Sequence, residues 1–225
     1  MDEPVIIAID GPAGVGKSTV AQKVAAQLGI THVDSGATYR AAALVVLEAG
    51  IDPRNESAVT QLIRSTQVRL AAGDGESHVL VNGEEVTARL RSSEVTLAAS
   101  QVSQFPEVRA KMIEIQRTCA TGRGVVMEGR DIGTVVFPKA PLKIFLKADA
   151  KERARRRQSQ DSHEGRSATL EKTADDISRR DQLDSRRKLS PLMPAPDAVQ
   201  IDSTNLQAEQ VVEEIVALAR DRKLT

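Results

Sequence analysis

The segment with the clearest chemical pattern is a glycine-rich loop that ends in a lysine and a hydroxyl residue, GPAGVGKS, at positions 11–18. It matches G-x-x-x-x-G-K-[ST], in which backbone N–H groups cradle phosphates, the lysine reaches the β- and γ-phosphates, and the hydroxyl helps to hold Mg²⁺. A short apolar run, Val5 to Ile9, precedes the loop, and a helical stripe of Val20, Val24 and Leu28 follows it. Strand, loop and helix in this order predict a nucleoside triphosphate site. Its candidate ATP-binding residues are Gly11, Pro12, Ala13, Gly14, Val15, Gly16, Lys17, Ser18 and Thr19, with Lys17 as a catalytic candidate and Ser18 as a Mg²⁺ ligand.

A second stretch, VVMEGRDIGTVVFP at positions 125–138, places three charged side chains inside an apolar run. Burying such groups costs several kcal/mol each unless each one finds a partner. We expect the strand to end before Glu128 and Gly129 to let the backbone turn into a cleft. Either the strand ends there at a water-filled site, or a ligand supplies partners for Arg130 and Asp131, since ligands bind beyond the carboxyl ends of the strands in open α/β sheets.

Other polar groups are predicted to reach the same edge of the sheet. The segment DSGATYR, residues 34–40, places Ser35, Tyr39 and Arg40 in the first turns of a helix that follows a second strand. Arg40 is a candidate for binding a second phosphate, although a surface arginine fits the same pattern. Nine arginines lie between Asp149 and Lys188. They indicate either a solvated helical face with i,i+4 ion pairs or an electropositive cover over phosphates.

Composition narrows the function classes. The chain has 225 residues, zero formal net charge, 28% charged residues and 2% aromatic residues. Neutral charge and scarce stacking side chains argue against a nucleic-acid partner, and no apolar run approaches the ~20 residues of a membrane span. The single cysteine, Cys119, and an N-terminus without a basic region indicate a cytoplasmic protein. No long apolar stripe requires a partner chain, so we expect a monomer.

The order of the patterns predicts an α/β fold. We expect a P-loop NTPase core with a parallel sheet flanked by helices, a small antiparallel β insert and a short arginine-rich lid. The turn signals Gly73-Asp74-Gly75 and Asn82-Gly83 mark the insert. GVVMEGRDIGTVVFP and LKIFLKA are predicted as further core strands and QAEQVVEEIVALARDR as the last helix. The expected divisions are core 1–61, insert 62–105, core 106–155, lid 156–167 and C-terminal core helices 168–225.

The remaining question is which kind of P-loop protein this is. The sequence has no N-K-x-D motif of a regulatory GTPase and is short for a motor or helicase, which leaves a small kinase with a second substrate pocket and a mobile cover.

Six segments of the chain resemble the signature segments of the bacterial cytidylate kinase family, in order and spacing, over nearly the full chain. They are IDGPAGVGKST, DSGATYRA, AASQVSQFPEVR, GRDIGTVVFP, KIFLKA and RRDQLDSRR. The resemblance implies direct in-line transfer of the γ-phosphoryl group of ATP to CMP or dCMP, with Mg²⁺. It also implies that the antiparallel insert binds the monophosphate, CMP.

The resemblance also implies roles for individual residues. It places Ser100, Arg109 and Asp131 around the cytosine base, Arg180 and Asp184 at the sugar hydroxyls, and Arg40, Arg130 and Arg187 at the monophosphate, with Ser35 and Tyr39 lining that pocket. The lid arginines that would clamp the transferring phosphoryl group are drawn from Arg153, Arg156, Arg157 and Arg166, and Arg130 and Arg157 join Lys17 as catalytic candidates. Glu128 departs from the commonest family form, which has Asp, and would reach Mg²⁺ through water.

Side-chain chemistry agrees with these assignments. A carboxylate accepts from the exocyclic amino group of cytosine and a guanidinium donates to N3 and O2, whereas uracil would set an acceptor against Asp131. Arg180, Asp184 and Arg187 fall at i, i+4 and i+7, which predicts one helical face, with a surface ion-pair ladder as the alternative. No general base is expected, because the phosphate oxygen of CMP is already ionised.

Three other hypotheses stay open. Another small P-loop kinase would act on a different monophosphate or on a metabolite alcohol. A nucleotide-dependent switch would bind ATP without net turnover. An RNA-binding protein would show strongly salt-dependent association.

Overall fold

The computed structural model describes residues 4–72, 77–120, 122–163 and 169–224. The predicted turn at Gly73-Asp74-Gly75 lies outside the described residues, as does Arg166 in the predicted lid. Along these ranges no helix is long and apolar enough to cross a membrane.

A five-stranded parallel sheet forms the centre of the fold, with strand order β2-β6-β1-β7-β8. Its strands are β1 (Val5–Asp10), β2 (Thr31–Asp34), β6 (Gly124–Gly129), β7 (Leu142–Lys147) and β8 (Val199–Asp202). The register pairs Ile9 of β1 with Glu128 of β6, and Glu128 in turn with Asp34 of β2. Three neighbouring strands therefore end at the same level, which brings the residues that follow them together.

Eight α-helices of the described chain connect or flank the strands. They are α1 (Lys17–Leu28), α2 (Gly36–Glu48), α3 (Glu56–Ser65), α4 (Ser93–Val102), α5 (Pro106–Arg117), α6 (Ala150–His163), α7 (Leu170–Ser185) and α8 (Ala208–Asp221). Helix α1 ends at Leu28, because the following Gly29 adopts the left-handed conformation with φ 63°. Pro106 starts α5 rather than interrupting a longer helix.

The antiparallel insert is present. Strands β3 (Val68–Ala72), β4 (Ser77–Val81) and β5 (Glu84–Glu85) form a separate antiparallel sheet. Asn82 and Gly83 join β4 to β5 with φ of 50° and 89°, the positive values that a type I′ hairpin needs. A 3-10 helix (Thr87–Arg91) and α4 complete the stretch predicted as insert, and the predicted start at residue 62 falls inside α3. The predicted fold class, a parallel sheet with helices on both sides and a small antiparallel insert, is confirmed.

Two large apolar clusters hold these parts in place. On one side of the sheet, the cluster includes Ile7, Val20 and Val24 together with Val211 and Ile215 of the last helix, so α1 and α8 cover that face as their apolar stripes predict. The second large cluster joins the insert to α2, α3, α4 and α5. The insert therefore shares its core with the helix that follows β2, and through α2 it is tied to the edge of the sheet where the strands end.

The strand is expected to end before Glu128, within a segment, GVVMEGRDIGTVVFP, that is predicted as a core strand, and the structure differs on both points. β6 extends through Glu128 to Gly129, and residues Ile132–Val136 form a single turn of π-helix instead of a strand. Gly129 lies inside the strand and has no left-handed φ, so the expected turning role was wrong. Glycine is needed for space, since a Cβ there would lie 2.5 Å from Ser35 Oγ and 2.7 Å from Ile132.

Helix ends also correct the predicted face of three residues. α7 ends at Ser185, so Arg187 lies beyond the helix and does not continue the face that carries Arg180 and Asp184. Residues 156–163 of the predicted lid belong to the C-terminal half of α6, and residues 164–168 lie outside the described chain.

We expect Gly129→Ala to lower the free energy of unfolding by about 1–3 kcal/mol, because the added methyl group forces Ser35 and Ile132 apart in a packed core. Urea denaturation followed by circular dichroism measures this. Gly133→Ala is the matched control. Its Cβ would lie 3.2 Å from Lys143 Cδ, a looser approach than the 2.5 Å at Gly129, and its loss is expected to stay below about 1 kcal/mol. Equal losses in the two variants would contradict the close-packing argument.

Candidate active site

A cleft of about 1240 Å³ lies at the carboxyl end of the parallel sheet. It is lined by the glycine-rich loop, by the starts of α1 and α2, by α4 and the end of β6, by α6 and α7, and by residues 203–208 before and at the start of α8. The chain leaves β1 toward β2 and later crosses from β6 to β7, so the connections diverge at this edge of the sheet. Such a divergence is where open α/β sheets form a ligand crevice.

The glycine-rich loop enters the cleft with the geometry of an anion cradle. Gly14 has φ 73°, and a Cβ there would lie 2.8 Å from the Arg153 carbonyl oxygen, so only glycine fits. Lys17 opens α1, is buried, and donates from Nζ to the Pro12 carbonyl at 2.7 Å. Burial, assisted by the nearby Arg130 charge, lowers the pKa of Lys17 to about 7. An anion in the cradle would relieve both effects.

Ser18 and Glu128 meet where the loop faces the end of β6. The Ser18 hydroxyl donates to Glu128 Oε2 at 2.9 Å, and Nε2 of the buried His32 lies 3.1 Å from Oε1 of the same carboxylate. Both carboxylate oxygens of Glu128 are therefore in contact with a polar side chain. The sequence patterns gave His32 no role, and the structure places it in contact with the predicted metal-binding residue.

Asp10 at the end of β1 fixes the backbone that carries Asp131. Its two carboxylate oxygens accept from the N–H groups of Ile132 and Gly133, each at 2.8 Å. Burial raises the pKa of Asp10 to about 6, although these backbone donors oppose the rise. The contact starts the π-helical turn and so sets where Asp131 lies.

Asp131 and Arg109 form a buried ion pair, with side-chain exposures of 7% and 3%. Arg109 also donates from Nη1 to the Ser103 carbonyl at 3.1 Å, and its guanidinium carbon lies 5.4 Å from the centre of the Tyr39 ring. Ser100 is buried on α4 and lines the same cleft. The structure therefore brings together the three residues predicted for the base.

Arg130 donates from Nε to Asp184 Oδ2 at 2.8 Å, which links the end of β6 to α7. Arg187 donates from Nε to the Asp184 carbonyl oxygen at 3.3 Å. Arg180 lies in the same cleft, and burial together with the Arg130 charge lowers its pKa to about 10. Within the described residues no carboxylate lies within ion-pair distance of Arg180. This part of the cleft has more cationic groups than carboxylates that pair with them.

On the other wall, Arg40 donates to Asp34 Oδ2 at 2.7 Å. Burial alone would raise the pKa of Asp34, but the Arg40 cation lowers it to about 2. Ser35 is buried and donates to the Glu128 carbonyl oxygen at 2.7 Å, so its hydroxyl holds α2 against β6. Both residues line the cleft, as predicted, while also making contacts within the protein.

The arginines predicted for the lid divide into two groups. Arg153 bonds to the Ala13 carbonyl and to Asp181, and Arg156 bonds to the Val15 carbonyl, to Glu152 and to Ser203. These two side chains therefore support the glycine-rich loop from below. Arg157 lines the cleft and pairs with Asp161 one turn along α6.

Several buried polar atoms near the cleft have no hydrogen-bond partner among the described residues. They include the Tyr39 hydroxyl, Arg109 Nε and Arg187 Nη2. Burial raises the pKa of Tyr39 to about 12, so its hydroxyl is present as a donor at neutral pH. Buried polar atoms are nearly always hydrogen-bonded, so these three atoms indicate a polar ligand in the cleft.

Sequence reasoning did not assign His32, Asp10, Asp34 or Asp181 to this region. Asp34 lies within the segment DSGATYR and Asp181 within RRDQLDSRR, so both residues belong to segments that the sequence patterns already connect with the site. For Asp10 and Asp181 the partner lies more than a hundred residues away along the chain, at Ile132 and at Ala13. His32 contacts Glu128 at a separation of 96 positions. Spacing along the chain carries no signal for such contacts.

Comparison with known proteins connects this geometry to a family. The sequence profile of the cytidylate kinase family matches residues 7–221. Curated relatives named cytidylate kinase are 48% identical over 99% of both chains in Geobacillus kaustophilus and 44% identical over 99% of this chain and 98% of the relative in Mycolicibacterium paratuberculosis. A Synechococcus protein named bifunctional pantoate ligase/cytidylate kinase is 47% identical over 96% of this chain and 40% of its own.

Solved structures agree at the level of the fold. An uncharacterized protein from Eubacterium ventriosum aligns with a TM-score of 0.53 at 12% identity, covering 97% of this chain and 99% of its own. TT1252 from Thermus thermophilus aligns with a TM-score of 0.50 at 20% identity, covering 100% of both chains. The family rests on the sequence matches, which span nearly the whole chain: the protein is an enzyme of the cytidylate kinase family.

Proposed function

We propose that the protein phosphorylates CMP and dCMP to CDP and dCDP, with ATP as the phosphoryl donor and Mg²⁺ as the cofactor, by direct in-line transfer. The observation that carries the proposal is the set of unpartnered buried donors on Tyr39, Arg109 and Arg187. Tyr39 and Arg187 line the same cleft as the phosphate cradle, and Arg109 pairs with Asp131, which lines it too. They call for a polar, anionic ligand that reaches from the cradle to the Arg109–Asp131 pair. A pyrimidine monophosphate has that form.

ATP would bind at the glycine-rich loop. Backbone N–H groups at the start of α1 face the β- and γ-phosphates, and Lys17 exchanges its contact with the Pro12 carbonyl for phosphate oxygens. Arg157 on α6 would approach the transferring group from the far side of the cleft. This arrangement excludes water and neutralises charge, which is most of what phosphoryl transfer requires.

The oxygen donors of Ser18 and Glu128 fit Mg²⁺. The described residues contain no group of three or more His, Cys, Asp or Glu side chains that could hold a metal, and Mg²⁺ bound to nucleotides is held by one or two protein oxygens together with phosphates. Mg²⁺, when bound, neutralises charge on the β- and γ-phosphates. Glu128, fixed by Ser18 and His32, would orient that ion directly or through water.

CMP would occupy the half of the cleft toward α4 and α7. Arg40, Arg130 and Arg187 surround the position proposed for its phosphate, and Arg180 and Asp184 the position proposed for its sugar. Asp131 uses Oδ2 for Arg109, and Oδ1 accepts no hydrogen bond from the described residues, so Oδ1 would accept from the cytosine amino group. Ser100 and the Nε group of Arg109 would complete the contacts to the base.

The chemistry needs no general base from the protein. The attacking oxygen belongs to the CMP phosphate, which is ionised near neutral pH. The residues of the chain act by holding the two phosphates in line and by lowering the repulsion between them, with Lys17, Arg130 and Arg157 nearest to the reacting groups. Alignment of this kind can supply about 7–11 kcal/mol of the barrier reduction.

The direct test is ADP formation from Mg·ATP with CMP, dCMP, UMP, AMP and no acceptor, run in parallel. We expect turnover largely confined to CMP and dCMP. Turnover with another acceptor would leave the assignment of the glycine-rich loop to ATP intact and would overturn the assignment of Ser100, Arg109 and Asp131 to the cytosine base. ATP binding without any acceptor-dependent turnover would favour a nucleotide-dependent switch over a kinase.

We expect Asp131→Asn to lower the ratio of kcat/KM for CMP to kcat/KM for UMP by about tenfold or more, because the amide no longer offers two acceptors and tolerates the uracil carbonyl. Steady-state kinetics with both acceptors measures it. The ratio cancels any loss of folded enzyme, which matters because the change leaves Arg109 buried without its counter-charge.

Asp197→Asn is the control for that experiment. Asp197 pairs with the buried Lys143 on β7, at a site that does not line the cleft. It should leave the CMP to UMP ratio unchanged. An unchanged ratio in Asp131→Asn as well would remove Asp131 from base recognition.

Nucleotide binding is expected to take up close to one proton at pH 8. In the free protein the pKa of Lys17 is about 7, so the amine is mostly neutral at pH 8, and bound phosphates raise that pKa and restore the charge. Below pH 7 the uptake should disappear, since the amine is already protonated. Calorimetry of ADP binding in two buffers of different ionisation enthalpy measures the number of protons.

Lys17→Met is the control for proton uptake, and it should remove both the uptake and the turnover. Equal uptake in the wild type and in this variant would show that another group binds the proton.

A further inference from the structure

A hydrogen-bonded joint lies under the glycine-rich loop and connects Ala13, one of the residues predicted to bind ATP, to α6 and α7. The Ala13 N–H donates to Asp181 Oδ1 at 3.1 Å. Arg153 Nη1 donates to Asp181 Oδ2 and also to the Ala13 carbonyl oxygen, the latter at 3.1 Å. Both backbone polar groups of Ala13 are therefore bound by side chains from α6 and α7.

Packing around this joint leaves the loop little freedom. Ala13 is buried in a small apolar cluster with Ala154 of α6 and Ile177 of α7. Gly14 lies so close to α6 that a Cβ would be 2.8 Å from the Arg153 carbonyl oxygen. The side chains of Arg153 and Asp181 are only 12% and 18% exposed. A shift of the loop tip must therefore break these contacts or move the two helices with it.

The same helix carries groups of the proposed acceptor site. Arg180 directly precedes Asp181, and Asp184, one turn farther along α7, holds Arg130 at 2.8 Å. Residues three apart on a helix lie on neighbouring positions of one face. One rigid element thus bonds to the phosphate cradle through Asp181 and to the acceptor pocket through Asp184.

We infer that Asp181 is a positioning residue that couples the two substrate sites, so that a nucleotide in the phosphate cradle orders α7 and prepares the acceptor pocket. The inference rests on the proposed function for the identity of the acceptor, CMP. Arg153 is its partner in this role and supports the loop instead of clamping the transferring phosphoryl group. Because coupling between two binding sites is reciprocal, CMP must raise the affinity for the nucleotide by the same factor.

The test compares wild type with Asp181→Ala, which removes both contacts, and Asp181→Asn, which keeps an acceptor for Ala13 and loses the ion pair. Calorimetry gives the dissociation constant of ADP with and without saturating CMP. We expect CMP to tighten ADP binding about fivefold or more in the wild type, less in Asp181→Asn, and not at all in Asp181→Ala. Asp175→Asn is the control, because Asp175 is an exposed carboxylate on α7 that does not line the cleft.

Hydrogen exchange supplies a readout that does not depend on the acceptor. ADP alone should slow amide exchange in α7 in the wild type and in Asp175→Asn but not in Asp181→Ala. Equal protection of α7 in all variants, with only a lower melting temperature for Asp181→Ala, would overturn the inference and leave a purely structural joint. A third outcome separates the inference from the proposed function. If protection of α7 from exchange depends on Asp181 but the protein does not turn over CMP, the coupling stands and the proposed acceptor is wrong.

Discussion

Charge burial is the constraint on which the rest of the structure depends. The cleft gathers cations and carboxylates in a space where burial moves pKa values far from their usual range, lowering that of Lys17 to about 7 and raising that of Asp10 to about 6. Replacing buried ion pairs with apolar side chains often stabilises a protein, so such a cluster is weak as a source of stability. The buried charges of the cleft instead provide dipoles and cations that are already oriented toward an anionic ligand.

The backbone meets this constraint by ending three parallel strands at one level. The register of β1, β2 and β6 sets Asp10, Asp34 and Glu128 near the same edge. Asp10 then fixes the π-helical turn after β6, and a glycine at position 129 lets α2 approach closely enough for Ser35 to bond to the β6 backbone. These backbone contacts fix the end of β6, which carries Glu128 and is followed by Arg130 and Asp131.

Local patterns in the sequence predict much of this fold, and contacts between distant segments account for what they miss. The loop before Lys17 and the hairpin at Asn82-Gly83 follow from chemistry within a few residues, and the structure has both. The π-helical turn depends instead on Asp10, more than a hundred residues earlier. Helix α7 ends before Arg187 although its spacing continues the helical period. Arg153 lies in an arginine-rich run that predicts a lid, and only its contact with Ala13 shows its position under the loop.

The internal ion pairs of the cleft do not prevent it from receiving a phosphate. A guanidinium has five N–H donors, and each pair uses only some of them: Arg109 leaves Nε unbonded and Arg187 leaves Nη2 unbonded among the described residues. Arg180 has no carboxylate within ion-pair distance among the described residues, and its pKa is lowered first by burial and then by the neighbouring Arg130 cation. A dianionic phosphate would relieve this repulsion without breaking the pair between Arg130 and Asp184. The pairs therefore hold the arginines in place before the ligand arrives, and the unused donors supply the attraction for it.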